Sequence, residues 1–182
     1  MDRRLDRTTD ENLRDVPCDP KGLKQYVSEL NERFQLESDP ITQVKLLGEM
    51  GVHLRSLKEL VKAKTVLLQA LKIVADQNLG IRLEIQQKIR LAHVLQWQQS
   101  YQKSNELFDV IVETCKSNGE ATVFLDFALQ HSGKNLFEQK RFLEALKVFE
   151  EALHLRVKRA APDEQIESTR LAIAVTQKAL AR

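Results

Sequence analysis

Small and apolar residues recur along this chain at a fixed spacing of 41 residues. Shifting the sequence by that period aligns Ala63, Ser104 and Ala145. The same shift aligns further columns, which are Leu67 with Phe108 and Phe149, Ala70 with Ile111 and Ala152, Gly51 with Ala92 and Gly133, and Leu54 with Leu95 and Leu136. A fixed period of this size indicates a solenoid, because one unit cannot bury its apolar face alone and must stack on its neighbours. The pattern predicts three stacked copies.

The composition favours helices within each copy. Of 182 residues, 42% are apolar and 30% are charged, which is typical of a folded globular chain. Glycine and proline, which break helices, number only six and four, and Pro17, Pro20 and Pro40 all precede the first copy. We therefore predict an all-α fold.

The chain divides into a leader and one repeat domain. Residues 1–19 are charged and have no sustained apolar period, so we expect a flexible leader. Residues 20–182 form the domain, whose predicted parts are an N-terminal helix over 20–37, repeats over 41–79, 80–119 and 120–161, and a capping helix over 163–181. We expect the first helix to be a half-repeat with Gly22 and Tyr26 in the columns of Ala63 and Leu67, and the last helix to turn Ile166, Ile173 and Leu180 inward.

These columns resemble the tetratricopeptide repeat (TPR), a 34-residue helix–turn–helix unit with an A-x3-F signature. Copy one supplies Leu47, Met50, Gly51, Leu54, Ala63, Leu67 and Ala70, and copy three supplies Leu129, Ser132, Gly133, Leu136, Ala145, Phe149 and Ala152. Copy two departs from the pattern at Lys88, Ser104 and Ile111. The seven extra residues per unit amount to almost two helical turns, so the helices can lengthen without rotating their buried stripes. Units of this length resemble those of kinesin light chains and bacterial peptide-receptor regulators.

The resemblance implies a right-handed superhelical α-solenoid of three helical hairpins, whose first helices line a concave groove that holds a peptide. It implies a non-enzymatic protein- or peptide-binding scaffold or adaptor. The candidate groove residues are Lys45, Arg55, Gln86, Arg90, His93, Gln130, His131 and Lys134. Because none of them is acidic, an acidic segment or a free carboxylate is the expected ligand. The alternative is that these side chains are only a solvated helix face.

Other functions are disfavoured by the sequence. Nucleotide-binding glycine loops and zinc-protease or serine-hydrolase motifs are missing, so we expect no catalytic residue and no cofactor. His93 and His131 have no nearby cysteine or carboxylate ligand in the sequence, so this pair only weakly indicates a metal site. The net charge of +2 does not favour nucleic acid, and no long apolar run predicts a membrane span. Two cysteines far apart in sequence fit a reducing cytoplasm.

Three further readings concern surfaces. The alternative function is that of a self-associating structural or regulatory protein, a homo-oligomer that acts through exposed array ends. Leu171 and Val175 on the last helix are the candidate contact residues. Trp97 and Tyr101 are expected to seal a contact between repeats rather than to bind a partner. The basic residues Arg156, Lys158 and Arg159 are expected to be a solvated helix terminus.

Overall fold

The prediction of an all-α fold is confirmed by the structure, a computed structural model that describes residues 2–181. The α-helices are α1 (Pro20–Leu36), α2 (Pro40–Ser56), α3 (Leu60–Asp76), α4 (Ile81–Trp97), α5 (Tyr101–Ser117), α6 (Leu125–Glu138), α7 (Phe142–Lys158) and α8 (Asp163–Leu180). Two short 3₁₀ helices, Arg3–Leu5 and Thr122–Phe124, and two strands, β1 (Arg7–Thr9) and β2 (Asp15–Pro17), complete the secondary structure. Within residues 2–181, no helix is long and apolar enough to cross a membrane.

The 41-residue period has a direct structural origin. A 17-residue first helix, a three-residue turn, a 17-residue second helix and a four-residue linker make up one unit. In the third unit the 3₁₀ helix Thr122–Phe124 takes the place of the first turn of α6. The helices are thus longer than those of a 34-residue unit, while the connecting segments stay short.

The chain clusters into two compact units that divide between Ser100 and Tyr101. In unit 1, α2 packs against α1, α3 and α4, and α3 also packs against α4. In unit 2, α6 packs against α5 and α7, and α7 packs against α8. The second helices bury one narrow stripe each, namely Ala63, Leu67, Ala70 and Val74 in α3, Ser104, Phe108, Ile111 and Cys115 in α5, and Ala145, Phe149, Ala152 and Arg156 in α7.

The small residues of the repeat lie where two helices approach closely. A Cβ atom at Gly51 would lie 2.6 Å from Leu67 Cγ, and one at Gly133 would lie 2.5 Å from Phe149 Cε1. Both distances are far shorter than a van der Waals contact, so only glycine fits at these positions. The repeat column that holds Gly51 and Gly133 therefore marks a close helix contact.

Each three-residue turn between a first and a second helix uses a non-glycine residue in the left-handed region. These residues are Lys58 (φ 61°), Gln99 (φ 58°) and Lys140 (φ 60°). The backbone N–H that follows Lys140 donates to the carbonyl oxygen of Leu136 at 3.0 Å, which is the long-range bond of a Schellman helix end. Asn78 and Gly80, in the linker after α3, also have positive φ. Every unit thus turns at the same repeat position without help from glycine.

The first and last helices differ from the sequence expectation in the residues that they bury. In α1 the fully buried residues are Leu23 and Leu30, which lie 40 residues before Ala63 and Ala70, so Gly22 and Tyr26 do not occupy the expected columns. The linker between α1 and α2 is one residue shorter than the linker between α3 and α4, which accounts for the shift.

The capping helix α8 buries a stripe of small residues, Thr169, Ala172 and Thr176, instead of the expected stripe. Ile166 and Ile173 are half-buried, and Leu180 is exposed. Thr176 Oγ1 donates to the carbonyl oxygen of Ala172 at 2.7 Å, so its hydroxyl is satisfied inside the helix. Small side chains allow α8 to approach α7 closely, which explains why this stripe is preferred over the bulkier isoleucines.

Residues 2–19 differ from the predicted flexible leader. Strands β1 and β2 form an antiparallel hairpin in which Thr8 pairs with Val16. Asp10 Oδ1 closes its loop by accepting from the backbone N–H groups of Asn12 and Arg14, both at 2.9 Å. Leu13, at φ 61°, turns a buried side chain toward the domain. These short strands are held by a side-chain turn and lack the alternating apolar pattern that predicts a strand, so the sequence does not indicate them.

Candidate binding site on the inner helices

The eight candidate groove residues lie in very different surroundings. Lys45 is exposed, and Gln86, Arg90 and His131 are half-exposed. The other four are buried, with exposed fractions of 4% for Arg55, 1% for His93, 3% for Gln130 and 7% for Lys134. The expectation of one open polar groove is therefore wrong for half of the set. We use the name inner face of unit 1 for the surface of α2 and α4 that carries Gly48, Arg55, Arg90, His93 and Trp97.

At the middle of this inner face, α2 makes room for a side chain of α4. A Cβ atom at Gly48 would lie 2.3 Å from Gln87 Oε1 and closer still to Arg90 Nη1, so a larger residue there would displace the ends of both side chains. Arg90 Nη1 donates to Gln87 Oε1 at 3.0 Å. Burial lowers the pKa of Arg90, and the carboxylate of Glu49 opposes that effect. The arginine thus lies across the helix contact rather than in solvent.

At the C-terminal ends of α2 and α4, Arg55 is the centre of a polar cluster. Its Nη1 donates to His93 Nδ1 at 2.6 Å, which places the proton of neutral His93 on Nε2. Its Cζ lies 5.2 Å from the centroid of the Trp97 ring, within cation–π range. Burial lowers the pKa of Arg55 to about 10, and the nearby cations Arg7 and Arg90 act in the same direction.

The N-terminal hairpin supplies the partner that a buried arginine needs. Asp15 Oδ2 accepts from Arg55 Nη2 at 3.1 Å, and its charge raises the pKa of Arg55 against the effect of burial. Arg14 lies over the Trp97 ring, with Cζ 4.9 Å from the centroid. Arg55 and Trp97 of the inner face therefore contact two residues, Asp15 and Arg14, of the segment predicted to be a flexible leader. Neither residue stands in a motif or a repeat column that would have singled it out.

A second polar cluster joins α1 and α2 one turn earlier. Tyr26 Oη donates to Glu49 Oε1 at 2.6 Å, and this bond raises the pKa of Tyr26 to about 12. The His53 ring packs edge-on against Tyr26 with centroids 5.3 Å apart. Burial, followed by the positive charge of Arg7, lowers the pKa of His53 to about 4, although Glu49 opposes the change. His53 is therefore neutral near pH 7 and acts as a packing residue.

A cleft of about 420 Å³ lies in unit 1 beside the hairpin. Residues from the hairpin, from the start of α1 and from the turn after α2 line it, together with Trp97. Its charged lining residues are Asp10, Arg14, Asp15, Lys24 and Lys58. The inner face therefore continues into a concave surface with charges of both signs.

In unit 2, the basic residues at the end of α7 have a different role from the one predicted. Arg156 Nε and Arg159 Nη2 both donate to Asp126 Oδ2 at 2.9 Å, and the Arg156 and Asp126 side chains are 4% and 3% exposed. Arg156 Nη1 also donates to Thr169 Oγ1 at 2.6 Å. This buried network ties α6, α7 and α8 together, so the prediction of a solvated helix terminus is wrong for Arg156.

The polar side chains of this region are held by hydrogen bonds, ion pairs and ring contacts. Among the described residues 2–181, no three His, Cys, Asp or Glu side chains are grouped to hold a metal ion. Trp97 is 5% exposed, in line with a packing role, and Leu171 and Val175 of α8 are exposed and half-buried respectively.

Comparison with known proteins gives a fold but no family. No family model matches the sequence, and no curated protein matches it either. Among solved structures, BtubC (BKLC) from P. vanneervenii superposes with a TM-score of 0.67 at 16% sequence identity, over 88% of this chain and 67% of that one. The fold is an all-α, helical repeat-like fold. At this identity the likeness concerns the fold alone.

Proposed function

We propose that this protein is a non-enzymatic scaffold or adaptor that binds a protein or peptide on the inner face of TPR-like helical hairpins. The partner we infer is a segment with acidic residues, since Lys45 and Arg90 keep solvent exposure on α2 and α4, and Arg55 binds a carboxylate.

The observation that carries this proposal is the way the inner face of unit 1 holds a chain segment. Arg55, a residue selected from sequence as a binding residue, receives the carboxylate of Asp15 from the extended strand β2. An ordinary solvated helix face would not bury a guanidinium and a histidine for this purpose. The surface therefore has the chemistry that recognition of an acidic, extended segment requires.

The comparison with solved structures supports the proposal at the level of architecture. BtubC is a bacterial kinesin light chain-like protein, and the 41-residue units of this chain resemble those of kinesin light chains. In that group of repeats the first helices line the peptide-binding groove. We extend that arrangement to α2 and α4 of unit 1 as part of the proposal.

The test is binding of short labelled peptides with graded acidic content to the full-length protein. Lys45 and Gln86 are accessible inner-face residues, so the double variant Lys45→Glu/Gln86→Glu changes charge without removing buried contacts. We expect acidic peptides to bind the wild type and to lose about tenfold or more in affinity for the double variant, measured by fluorescence anisotropy.

The matched control is Lys64→Glu/Gln69→Glu, which makes the same change of charge at accessible residues of the second helix α3. It should leave peptide affinity unchanged. An equal loss in the control and in the double variant would mean that net charge alone drives binding and would refute an inner-face site. Affinity that does not depend on the acidic content of the peptide would refute the proposed ligand chemistry.

A further inference from the structure

The contact between the hairpin and the inner face of unit 1 has two parts that lie side by side. One is the ion pair between Asp15 and Arg55, and the other is the stacking of Arg14 on Trp97. Arg14 and Asp15 are consecutive in the sequence, and Arg55 itself also contacts the Trp97 ring. The Trp97 indole is therefore in cation–π contact with the guanidinium groups of Arg14 and Arg55. Asp15, the acidic partner of Arg55, directly follows Arg14 in the sequence.

The two parts differ in what they require of a ligand. The Trp97 ring requires a cation of planar shape, because a guanidinium stacks on an aromatic face better than an ammonium does. Arg55 requires a carboxylate, because its charge is buried and Asp15 is its one acidic partner within residues 2–181. An arginine followed by an aspartate in an extended strand meets both requirements.

The present contact leaves hydrogen-bonding capacity unused. Arg55 is only 4% exposed, and among the described residues its Nε has no hydrogen-bond partner. The indole Nε1 of Trp97, a residue only 5% exposed, also has none within residues 2–181. A carboxylate that engages both Nη2 and Nε of Arg55 would form the two parallel bonds that make arginine–carboxylate pairs strong.

The segment that occupies the site is held loosely by its own structure. Strands β1 and β2 have three residues each, and a two-stranded hairpin of this size has little stability of its own. Its loop places Leu13 in the left-handed region, which is unfavourable for leucine. The cleft of about 420 Å³ beside it gives a second segment room to approach.

We propose that Arg55 and Trp97 form a recognition site for an extended segment that carries adjacent arginine and aspartate, and that the N-terminal hairpin is the copy of this ligand that the chain itself provides. The site takes the same dipeptide from another chain, with the arginine on Trp97 and the aspartate on Arg55. This inference rests on the proposed function and specifies the partner's chemistry at one place on the inner face.

The test uses the full-length chain and a fluorescent synthetic peptide with the sequence of residues 6–18. Wild-type protein should bind this peptide weakly, because its own hairpin occupies the site. The variant Arg14→Ala/Asp15→Ala weakens that occupancy and should bind the peptide about tenfold more tightly in anisotropy titrations. The same peptide carrying alanine at both of these positions should lose that gain.

The peptide variants leave the protein unchanged. The test therefore stays valid even if a protein variant folds poorly. On the protein side, Arg55→Gln and the milder Arg55→Lys, each added to the double variant, should reduce peptide affinity by about tenfold or more, with lysine closer to the parent. Circular dichroism and the thermal midpoint report whether each variant retains its fold.

Two outcomes would overturn the inference. One is equal binding of the parent and the alanine-substituted peptides, and the other is a double variant that binds no better than the wild type. If generic acidic peptides still depend on Lys45 and Gln86 while the hairpin peptide fails, the arginine–aspartate site is wrong and the proposed function stands. If both kinds of peptide fail, the proposed function is wrong as well.

Discussion

Replacing Asp126 with valine tests how a buried ion pair is built into a repeat that elsewhere uses apolar residues. Asp126 and Arg156 occupy the columns of Val44 and Val74 in the first unit, and these valines are 0% and 4% exposed. The third unit thus carries an ionic pair at a place where the first unit carries two buried valines. The single substitution removes the acceptor of Arg156 Nε and leaves a guanidinium whose side chain is 4% exposed.

The expected loss is about 3–5 kcal/mol in the free energy of unfolding, because a buried charge has lost its counterion. The double variant Asp126→Val/Arg156→Val restores the apolar pair of the first unit and removes the charge altogether. It still loses the hydrogen bonds from Arg156 to Thr169 Oγ1 and to the carbonyl oxygen of Gln165, at about 1 kcal/mol each. We therefore expect it to be more stable than the Asp126→Val single variant, with a coupling energy of about 3 kcal/mol.

The assay is urea unfolding followed by far-ultraviolet circular dichroism for the wild type, both single variants and the double variant. Arg141 and Glu144 form an exposed ion pair at 2.6 Å in the same unit and provide the control cycle. Its coupling should be clearly smaller, since solvent screens exposed pairs. The argument that burial governs this interaction would be refuted if the double variant lost as much free energy of unfolding as the two single variants together. A coupling energy no larger than that of the control pair would refute it as well.

Three further changes test the packing, the turns and the ionisation of unit 1 or unit 2. Gly133→Ala should destabilise the protein by about 1–3 kcal/mol, because the added Cβ would lie 2.5 Å from the Phe149 ring, and Phe149→Leu in the same chain should recover part of that loss in chemical unfolding. Lys140→Gly should raise stability by about 0.5–1 kcal/mol in thermal unfolding, because it relieves a φ of 60°. Lowering the pH from 6.5 toward 4 should cost up to about 3 kcal/mol through His53, because the unfolded chain takes up a proton that the folded chain, with a His53 pKa of about 4, does not; His53→Gln should flatten this part of the pH profile of stability.

Each of these predictions has a clear contrary outcome. If Phe149→Leu does not recover stability in the Gly133→Ala variant, the added methyl group destabilises the protein by some contact other than that with the Phe149 ring. Lys147→Gly, in the middle of α7, provides the control for the turn variant and should be destabilising, so a loss at both positions would contradict the role of φ. An unchanged pH profile in His53→Gln would assign the acid sensitivity to other groups.

The repeat columns predict the helices well because they report what each helix buries. Gly51 and Gly133 were recognised from spacing, and both lie at contacts too close for a Cβ atom. This works because close helix packing restricts side-chain size at fixed intervals, which a period in the sequence records directly.

The binding surface is less predictable, because ion pairs between distant segments leave no period. Arg55 was chosen for its position on a helix face, yet its partner Asp15 lies 40 residues earlier in a segment without apolar pattern. Basic side chains at a helix end are usually solvated, whereas Arg156 is buried and its acceptor Asp126 lies 30 residues away in sequence. Long-range polar pairing depends on the final fold and cannot be derived from local spacing.

The constant length of the second helices has a consequence for how such an array tolerates change. Helices α1, α3, α5 and α7 each span 17 residues, whereas the linker before the next first helix has three residues after α1 and four after α3. One residue gained or lost in a linker therefore leaves every buried face in phase. One residue inserted inside a helix would rotate all later side chains of that helix by about 100° and turn its buried face toward water. Length variation in relatives and engineered insertions should accordingly be accommodated at the linkers and rejected within the helices.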